Sequence, residues 1–169
     1  GGVLATGDDP KAINFLPAGK HRIPGFRIGR YPVTVFEYAD FLADTQHKEP
    51  EDWSEQSSHP SRPVTRVSWH DANAYCQWVS GKHGNSCRLA SELEWEFAAR
   101  GEAGRFYAWG NDAPNDLRAN YADKVGRPSP VGMFPDGDTP DGVSDLTGNV
   151  WEWTSSDFDK EHKLLRGAG

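Results

Sequence analysis

The chain has 169 residues, a formal net charge of −7 and 12 % aromatic residues, seven of them Trp. This length predicts one domain with a single core, and the aromatic content argues against disorder, where such residues are scarce. The negative charge excludes a polybasic face for nucleic acid. No apolar run reaches the roughly 18 residues that a membrane span requires.

The first third of the chain predicts two brief strands and then a helix. Short apolar segments at 13–16 and 23–28 lie among Gly and Pro residues, which favours strands over helices. Thr34 followed by Glu37 forms a capping box, in which each side chain bonds the other residue's backbone N–H. Apolar residues at helical spacing follow, so we expect a helix over 35–44.

The middle of the chain predicts a loop and two more helices. Residues 47–63 are polar and contain several Pro, which is typical of a long loop. Two further capping boxes predict one helix each. Ser68 with Asp71 begins a helix that Gly81 and Gly84 are expected to end, and Ser91 with Glu94 begins a helix that Gly101 is expected to end.

After Gly101 the helical periodicity disappears, and short segments alternate with Gly, Pro, Asn and Asp. We expect strands at 131–134 and 150–154 within a region dominated by loops. No internal repeat or linker suggests a second domain. The predicted class is α+β, with few short helices and strands and long ordered loops.

Two cysteines, Cys76 and Cys87, are eleven residues apart. This pattern does not fit a zinc site, and it is compatible with either a disulfide or two buried thiols. The helical position of Cys76 favours the buried thiols. The cellular compartment stays open, cytoplasmic or cell-surface.

Four residues form the most informative polar constellation: Asp145, Gly148, Val150 and Glu152. Their spacing places two carboxylates and two backbone carbonyls in one glycine-containing turn, and hard oxygen donors of this kind suit Ca²⁺. The alternative is that Asp145 only caps a turn and that Glu152 pairs with an arginine in the core.

Other polar and aromatic residues predict structural roles. Trp151 and Trp153 alternate around Glu152, so both should point away from that carboxylate, and we expect them in the core. In the third helix we expect Glu94 as a cap, and Glu92 and Glu96 as ion-paired or solvated side chains. The six His residues show no i, i+4 pair, so local sequence supplies no zinc site.

Five blocks resemble the formylglycine-generating enzyme (sulfatase-modifying factor) domain family. They occur in the family's order: Tyr31-Pro-Val-Thr, Arg62-Pro-Val-Thr-Arg-Val-Ser-Trp-His-Asp-Ala, Arg88-Leu-Ala-Ser-Glu-Leu-Glu-Trp-Glu-Phe-Ala-Ala-Arg-Gly, Tyr107-Ala-Trp-Gly and Gly148-Asn-Val-Trp-Glu-Trp-Thr-Ser. The resemblance implies a variant of the C-type lectin fold.

The resemblance also implies candidate metal sites. A family calcium site matches Asp145, Gly148, Val150 and Glu152, and a second one matches Asn120 and Tyr121, with Asp123 nearby. The family's oxidases hold copper with a cysteine pair that lies beyond the block matched by Arg166-Gly-Ala-Gly, so Cys76 and Cys87 do not correspond to it. Related sulfoxide synthases hold iron with histidines of a separate helical-bundle domain.

From this pattern we expect a single non-catalytic lectin-like domain over 1–169 that lacks the family's C-terminal segment. It would be the scaffold of a variable protein of a diversity-generating retroelement. Its expected partner is a protein or another macromolecule, bound beside the C-terminal strand, with no nucleic acid and no membrane insertion. The alternatives are a copper-dependent oxidase whose catalytic cysteines lie beyond residue 169, and a regulatory module of a multidomain protein.

Overall fold

The computed structural model describes residues 2–6, 19–122 and 124–167, with no side-chain detail for 4–6. In that part of the chain two antiparallel strand pairs accompany short helices. Strand β1 (Gly2–Thr6) pairs with β2 (Gly19–Ile23), and β3 (Trp151–Asp157) pairs with β4 (Lys163–Gly167). The predicted α+β class is confirmed. No helix among the described residues is long and apolar enough to cross a bilayer.

Helix α1 (Val35–Thr45) confirms the prediction of a helix over 35–44. The Glu37 N–H donates to Thr34 Oγ1 at 3.2 Å, and the Thr34 N–H donates to Glu37 Oε2 at 2.9 Å. Both bonds satisfy backbone donors that the first turn leaves without a partner. The helix buries Val35, Tyr38 and Phe41.

The other two capping boxes are confirmed as well. Helix α3 (Trp69–His83) begins after Ser68 and ends at Gly84, which adopts a left-handed conformation with a φ of 66°. Gly81 was also expected to end this helix, which is wrong, because the helical hydrogen bonds continue through it to His83. Helix α4 (Glu92–Arg100) begins after Ser91 and ends at Gly101.

The predicted loop over 47–63 contains a short helix, α2 (Trp53–Gln56). Its N-cap, Asp52, makes no side-chain cap bond, so the usual sequence signal for a helix start is missing. The buried Gln56 fixes the segment, because its amide donates to Glu51 O and its Oε1 accepts from the Thr65 N–H at 3.0 Å.

Two predicted strands are wrong and one lies outside the described residues. Strand β2 ends at Ile23, since Pro24 has no N–H for a ladder, so 23–28 is not a strand. Residues 131–134 form a turn around Gly132, whose φ is 66°, followed by a 3-10 helix (Pro135–Gly137). The segment 13–16 is not described. Strand β3 confirms 150–154, whereas β4 was not predicted.

The core has two parts. Trp95 and Ala99 of α4 pack with Ala108 and Leu146. The second part is aromatic and joins α1 to α3: the Tyr38 ring stacks on Tyr75 with centroids 5.8 Å apart. Trp95 is buried at the centre of the first part.

Two indoles attach the β3–β4 hairpin to the start of α3. Trp69 Nε1 donates to Thr154 O at 2.9 Å, and Trp153 Nε1 donates to Val67 O at 2.9 Å. Thr154 is completely buried, and its hydroxyl donates to Leu164 O on the neighbouring strand at 3.0 Å. These bonds satisfy the polar groups that the hairpin buries.

The start of α4 carries an ion pair that should make stability depend on pH. Arg88 donates two hydrogen bonds of 2.7 Å to the Glu94 carboxylate, which also accepts from the Ser91 N–H. Chiefly because of the Arg88 bonds, the pKa of Glu94 falls from 4.5 to about 2. A carboxyl group with a lowered folded-state pKa stabilises the fold above its unfolded pKa and loses that contribution as pH falls.

We expect Glu94→Gln to lower the free energy of unfolding by about 1–3 kcal/mol at pH 7, because a charged hydrogen-bond acceptor is lost while the capping amide remains. The variant should also lack the part of the stability loss that the parent shows between pH 4.5 and about 2. Urea titrations across this range measure both effects. Glu51→Gln, at an exposed pair with Arg66, is the control and should change stability by less than about 1 kcal/mol.

Candidate functional site

The segment from Asp145 to Glu152 forms a tight loop that leads into β3. Asp145, Gly148 and Asn149 have φ values of 62°, 108° and 70°, so the backbone turns sharply at three positions. The loop is fixed to a neighbouring segment, because the Asn149 N–H donates to Asn120 O at 2.8 Å. The loop is thereby held in one conformation by backbone bonds.

Asp145 points into the protein. Its Oδ2 accepts from the Gly132 N–H at 2.8 Å. Burial raises the pKa of this carboxyl group, and the nearby Asp138 carboxylate raises it further, against the opposing effect of the Gly132 bond. Asp145 therefore does cap a turn, as one alternative expected, and it does so in an environment that disfavours its negative charge.

Glu152 enters the same region from β3. Its Oε2 accepts from the Trp95 indole N–H at 3.3 Å, and its Oε1 is buried without a hydrogen-bond partner. Burial, together with the Asp145 carboxylate, raises the pKa of Glu152 to about 7. The hydrogen bond to Glu152 thus comes from the Trp95 indole, and not from an arginine as the alternative to the calcium site expected.

Asn120 and Tyr121 lie next to this loop. The Asn120 amide donates to Arg127 O at 2.9 Å, and the Lys124 ammonium lies 4.5 Å from the centroid of the Tyr121 ring. The Lys124 ammonium therefore places a positive charge beside the two residues of the second candidate calcium site. Asp123 lies outside the described residues, and the second calcium site stays a prediction.

Arg166, near the end of β4, sits over a buried ionic cluster. Its guanidinium pairs with Glu96 and approaches Glu92 Oε1 at 3.6 Å. Arg100 also pairs with Glu96, at 3.1 Å, and the Arg166 guanidinium stacks 5.0 Å from the Trp95 ring. Glu92 and Glu96 are thus ion-paired, one of the two states expected for them, and they hold the last strand against α4.

The outward face of the hairpin carries apolar side chains. Trp151 is 57 % exposed and Leu165 is 37 % exposed. The predicted alternation around Glu152 is present, but the core placement of Trp151 is wrong, because its side chain stays exposed while Trp153 on the same face packs against the segment before α3. Trp153 is half-buried and donates its indole N–H to Val67 O. Large exposed apolar side chains of this kind often mark an interaction surface.

Both cysteines are free thiols, Cys76 buried and Cys87 half-buried. No group of three or more His, Cys, Asp or Glu side chains in the described ranges is arranged to hold a metal ion. The Asp145 loop differs from such a group, since it combines two carboxylates with backbone carbonyls.

Comparison with known proteins gives one family and several relatives. The model of the sulfatase-modifying factor enzyme 1-like domain matches residues 1–168. Hercynine oxygenase of Mycobacterium tuberculosis is 33 % identical over 189 residues, covering 92 % of this chain and 43 % of the relative. Formylglycine-generating enzyme of the same organism is 37 % identical over 125 residues, covering 66 % of this chain and 39 % of the relative.

The solved structure of PvdO from Pseudomonas aeruginosa superposes with a TM-score of 0.80 at 25 % identity, covering 99 % of this chain and 78 % of that one. This likeness confirms the fold expected from the five sequence blocks. The chain spans less than half the length of the two curated relatives described above.

The expectation of a non-catalytic scaffold from a diversity-generating retroelement is wrong. The two relatives described above are named as an oxygenase and a formylglycine-generating enzyme, which favours the oxidase alternative instead. The family's copper-binding cysteines lie beyond the block matched by Arg166-Gly-Ala-Gly, so their absence from residues 1–169 does not argue against an oxidase.

Proposed function

We propose, since this chain belongs to the family of sulfatase-modifying factor enzyme 1-like domains, that it is a domain of an oxygen-dependent oxidase or oxygenase. The observation that carries the proposal is the similarity to hercynine oxygenase, which extends over 92 % of the chain. A protein or peptide bearing a cysteine is the macromolecular substrate in the formylglycine-generating type, and hercynine is the small-molecule substrate in the other.

A redox metal belongs to this proposal, with copper for the formylglycine-generating type. Cys76 and Cys87 do not match the copper-binding cysteine pair of the family, which lies beyond the block matched by Arg166-Gly-Ala-Gly. The role that we assign to the described residues is therefore to bind and orient the substrate.

The outward face of the hairpin, defined by Trp151, Trp153 and Leu165, is the candidate substrate surface. It combines exposed apolar area with a rigid support, since the Arg166 cluster fixes β4 from the opposite side. A rigid aromatic surface binds ligands at a low cost in side-chain entropy.

The test measures oxygen uptake with the protein supplied separately with hercynine and with a cysteine-containing peptide, each with iron(II) or copper(I). An aldehyde formed from the peptide is captured with a hydrazide probe. We expect oxygen uptake with one substrate, and a loss of at least about tenfold in kcat/KM for Trp151→Ala. Phe158→Ala is the matched control, because Phe158 is also an exposed aromatic residue, at 54 %, and lies in the turn between β3 and β4.

Oxygen uptake with neither substrate, from protein whose fold is verified by circular dichroism, would contradict the oxidase proposal. Uptake that Trp151→Ala and Phe158→Ala leave equally unchanged would contradict the assignment of the substrate surface alone.

We also propose that the Asp145 loop binds a structural calcium ion. Glu152 Oε1 is buried with no partner, and burial together with the Asp145 carboxylate raises the pKa of Glu152. A divalent cation would remove both penalties. Asp145, Glu152 and the carbonyls of Gly148 and Val150 are the proposed ligands, all oxygen donors of the type that calcium prefers.

Calcium at a hundred times its Kd is expected to raise the free energy of unfolding by about 2.7 kcal/mol, since it binds the folded state alone. Differential scanning fluorimetry with calcium and with a chelator measures the shift. Glu152→Gln should abolish it, whereas Glu161→Gln, on the exposed β3–β4 turn, should preserve it. An equal response of both variants would rule out this site.

A further inference from the structure

The end of α3 folds back on the helix and brings Cys87 to Cys76. Gly84, with a φ of 66°, reverses the chain after His83. Ser80 then joins the two segments: its hydroxyl donates to Cys76 O at 2.9 Å and accepts from the Cys87 N–H at 2.8 Å. Because Cys76 and Ser80 are four residues apart in a helix, they share one face, and Cys87 lies against that face.

The fold places the two thiols close together. Ser80 bonds the backbone of both residues, and the pKa of Cys76 is raised by burial and further by the neighbouring Cys87 thiol. Their solvent access differs, since Cys76 is buried and Cys87 is half-buried. One thiol is therefore available to an external reagent, and the other is positioned behind it.

We propose that Cys76 and Cys87 are a redox-active pair that closes to an intrachain disulfide when the protein meets a low-molecular-weight disulfide such as glutathione disulfide. Cys87, as the thiolate, attacks one sulfur of the oxidant and releases one glutathione thiolate. Cys76 then loses its proton to solvent and attacks the Cys87 sulfur of the mixed disulfide, which releases the second glutathione. The protein loses two hydrogens, and the oxidant becomes two molecules of glutathione.

The order of these steps follows from the geometry. Cys87 reacts first because it is the more accessible thiol, and Cys76 resolves the adduct because it lies beside it. No helix has to unfold, since the Ser80 bonds already hold the two chain segments together. The disulfide would close a short loop across the end of α3 and restrict the unfolded chain.

The experiment incubates the folded protein with glutathione buffers of graded composition, followed by acid quenching, alkylation and intact-mass measurement. We expect both thiols to disappear together, with the loss of two hydrogens and no retained glutathione. The oxidised protein should also melt about 5–10 °C higher than the reduced protein.

Two variants separate the steps. Cys76→Ala should trap glutathione on Cys87, because the resolving thiol is gone. Cys87→Ala should leave Cys76 as an unmodified thiol in the folded protein, because that thiol is buried. Circular dichroism and thermal melts verify that both variants are folded.

A wild-type protein that keeps glutathione on Cys87, or that keeps two free thiols in fully oxidising buffer, would overturn the proposal. A disulfide between two chains, seen as a dimer on a non-reducing gel, would overturn it as well.

Discussion

Replacing Arg166 with alanine is expected to lower the free energy of unfolding by about 3–5 kcal/mol, the usual cost of breaking a buried ion pair. Arg166 faces the carboxylates of Glu92 and Glu96, and Glu96 is almost inaccessible to solvent. Without the guanidinium, Arg100 alone remains near Glu96, and Glu92 loses the arginine that lowers its pKa against the effect of burial. Denaturant titrations at pH 7 measure the loss.

Two further variants test the electrostatic origin of this loss. Arg66→Ala removes an exposed arginine that pairs with Glu51 and Asp52, and it should cost less than about 1 kcal/mol. Adding Glu92→Gln to Arg166→Ala removes the carboxylate that is left without an arginine and should recover part of the stability. If the double variant is no more stable than Arg166→Ala, the loss comes from packing against Trp95 and not from charge.

Gly148→Ala is expected to lower the free energy of unfolding by about 4 kcal/mol. A Cβ atom at this position would lie 2.5 Å from Asn120 O, a backbone atom that cannot move by itself. The φ of 108° is also unfavourable for any residue with a side chain. Backbone strain and overpacking each cost about 1–3 kcal/mol. Thermal and urea denaturation give the value.

Gly142→Ala separates the two contributions. Gly142 also has a positive φ, 79°, but a Cβ atom there would meet nothing within 4 Å. Only the conformational cost should remain, about 1 kcal/mol. Equal losses in the free energy of unfolding for the two variants would mean that the loop from Asp145 to Glu152 can move away from Asn120. The description of this loop as rigid would then be wrong.

The three long helices were predictable because their signals are local. Each capping box places a hydroxyl and a carboxylate three residues apart, so the sequence itself contains both partners of the bonds that start the helix. Glycine at 84 and 101 marks the ends for the same local reason. Helix α2 lacks a cap bond and was therefore missed.

The features that require distant partners were not predictable. Arg166 meets Glu96, seventy positions earlier in the chain, and neither residue carries a sign of this pairing in its own neighbourhood. Residues 131–134 have the composition of a strand, yet Gly132 packs against Tyr31 and turns the chain. Trp151 was placed in the core because a large indole is usually buried, whereas the structure leaves it 57 % exposed.

The candidate site was predictable in part. Asp145, Gly148, Val150 and Glu152 fall in one loop and its adjoining strand, as their spacing indicated. The role of Trp95, which donates to Glu152 while its ring lies under Arg166, had no sequence signal. The function was misjudged, because a fold that serves several activities does not identify one of them.

The two indole bonds that attach the hairpin to α3 also have a consequence for the order of folding. They join residues 85 and 86 positions apart, whereas each capping box joins residues three apart. Closing a long loop lowers the chain entropy before any stabilising contact has formed. Helical turns need no such closure and form in about a microsecond or less. The helices are therefore expected to form early and the hairpin to dock late, so that the candidate substrate surface is among the last parts of the protein to be completed during synthesis and refolding.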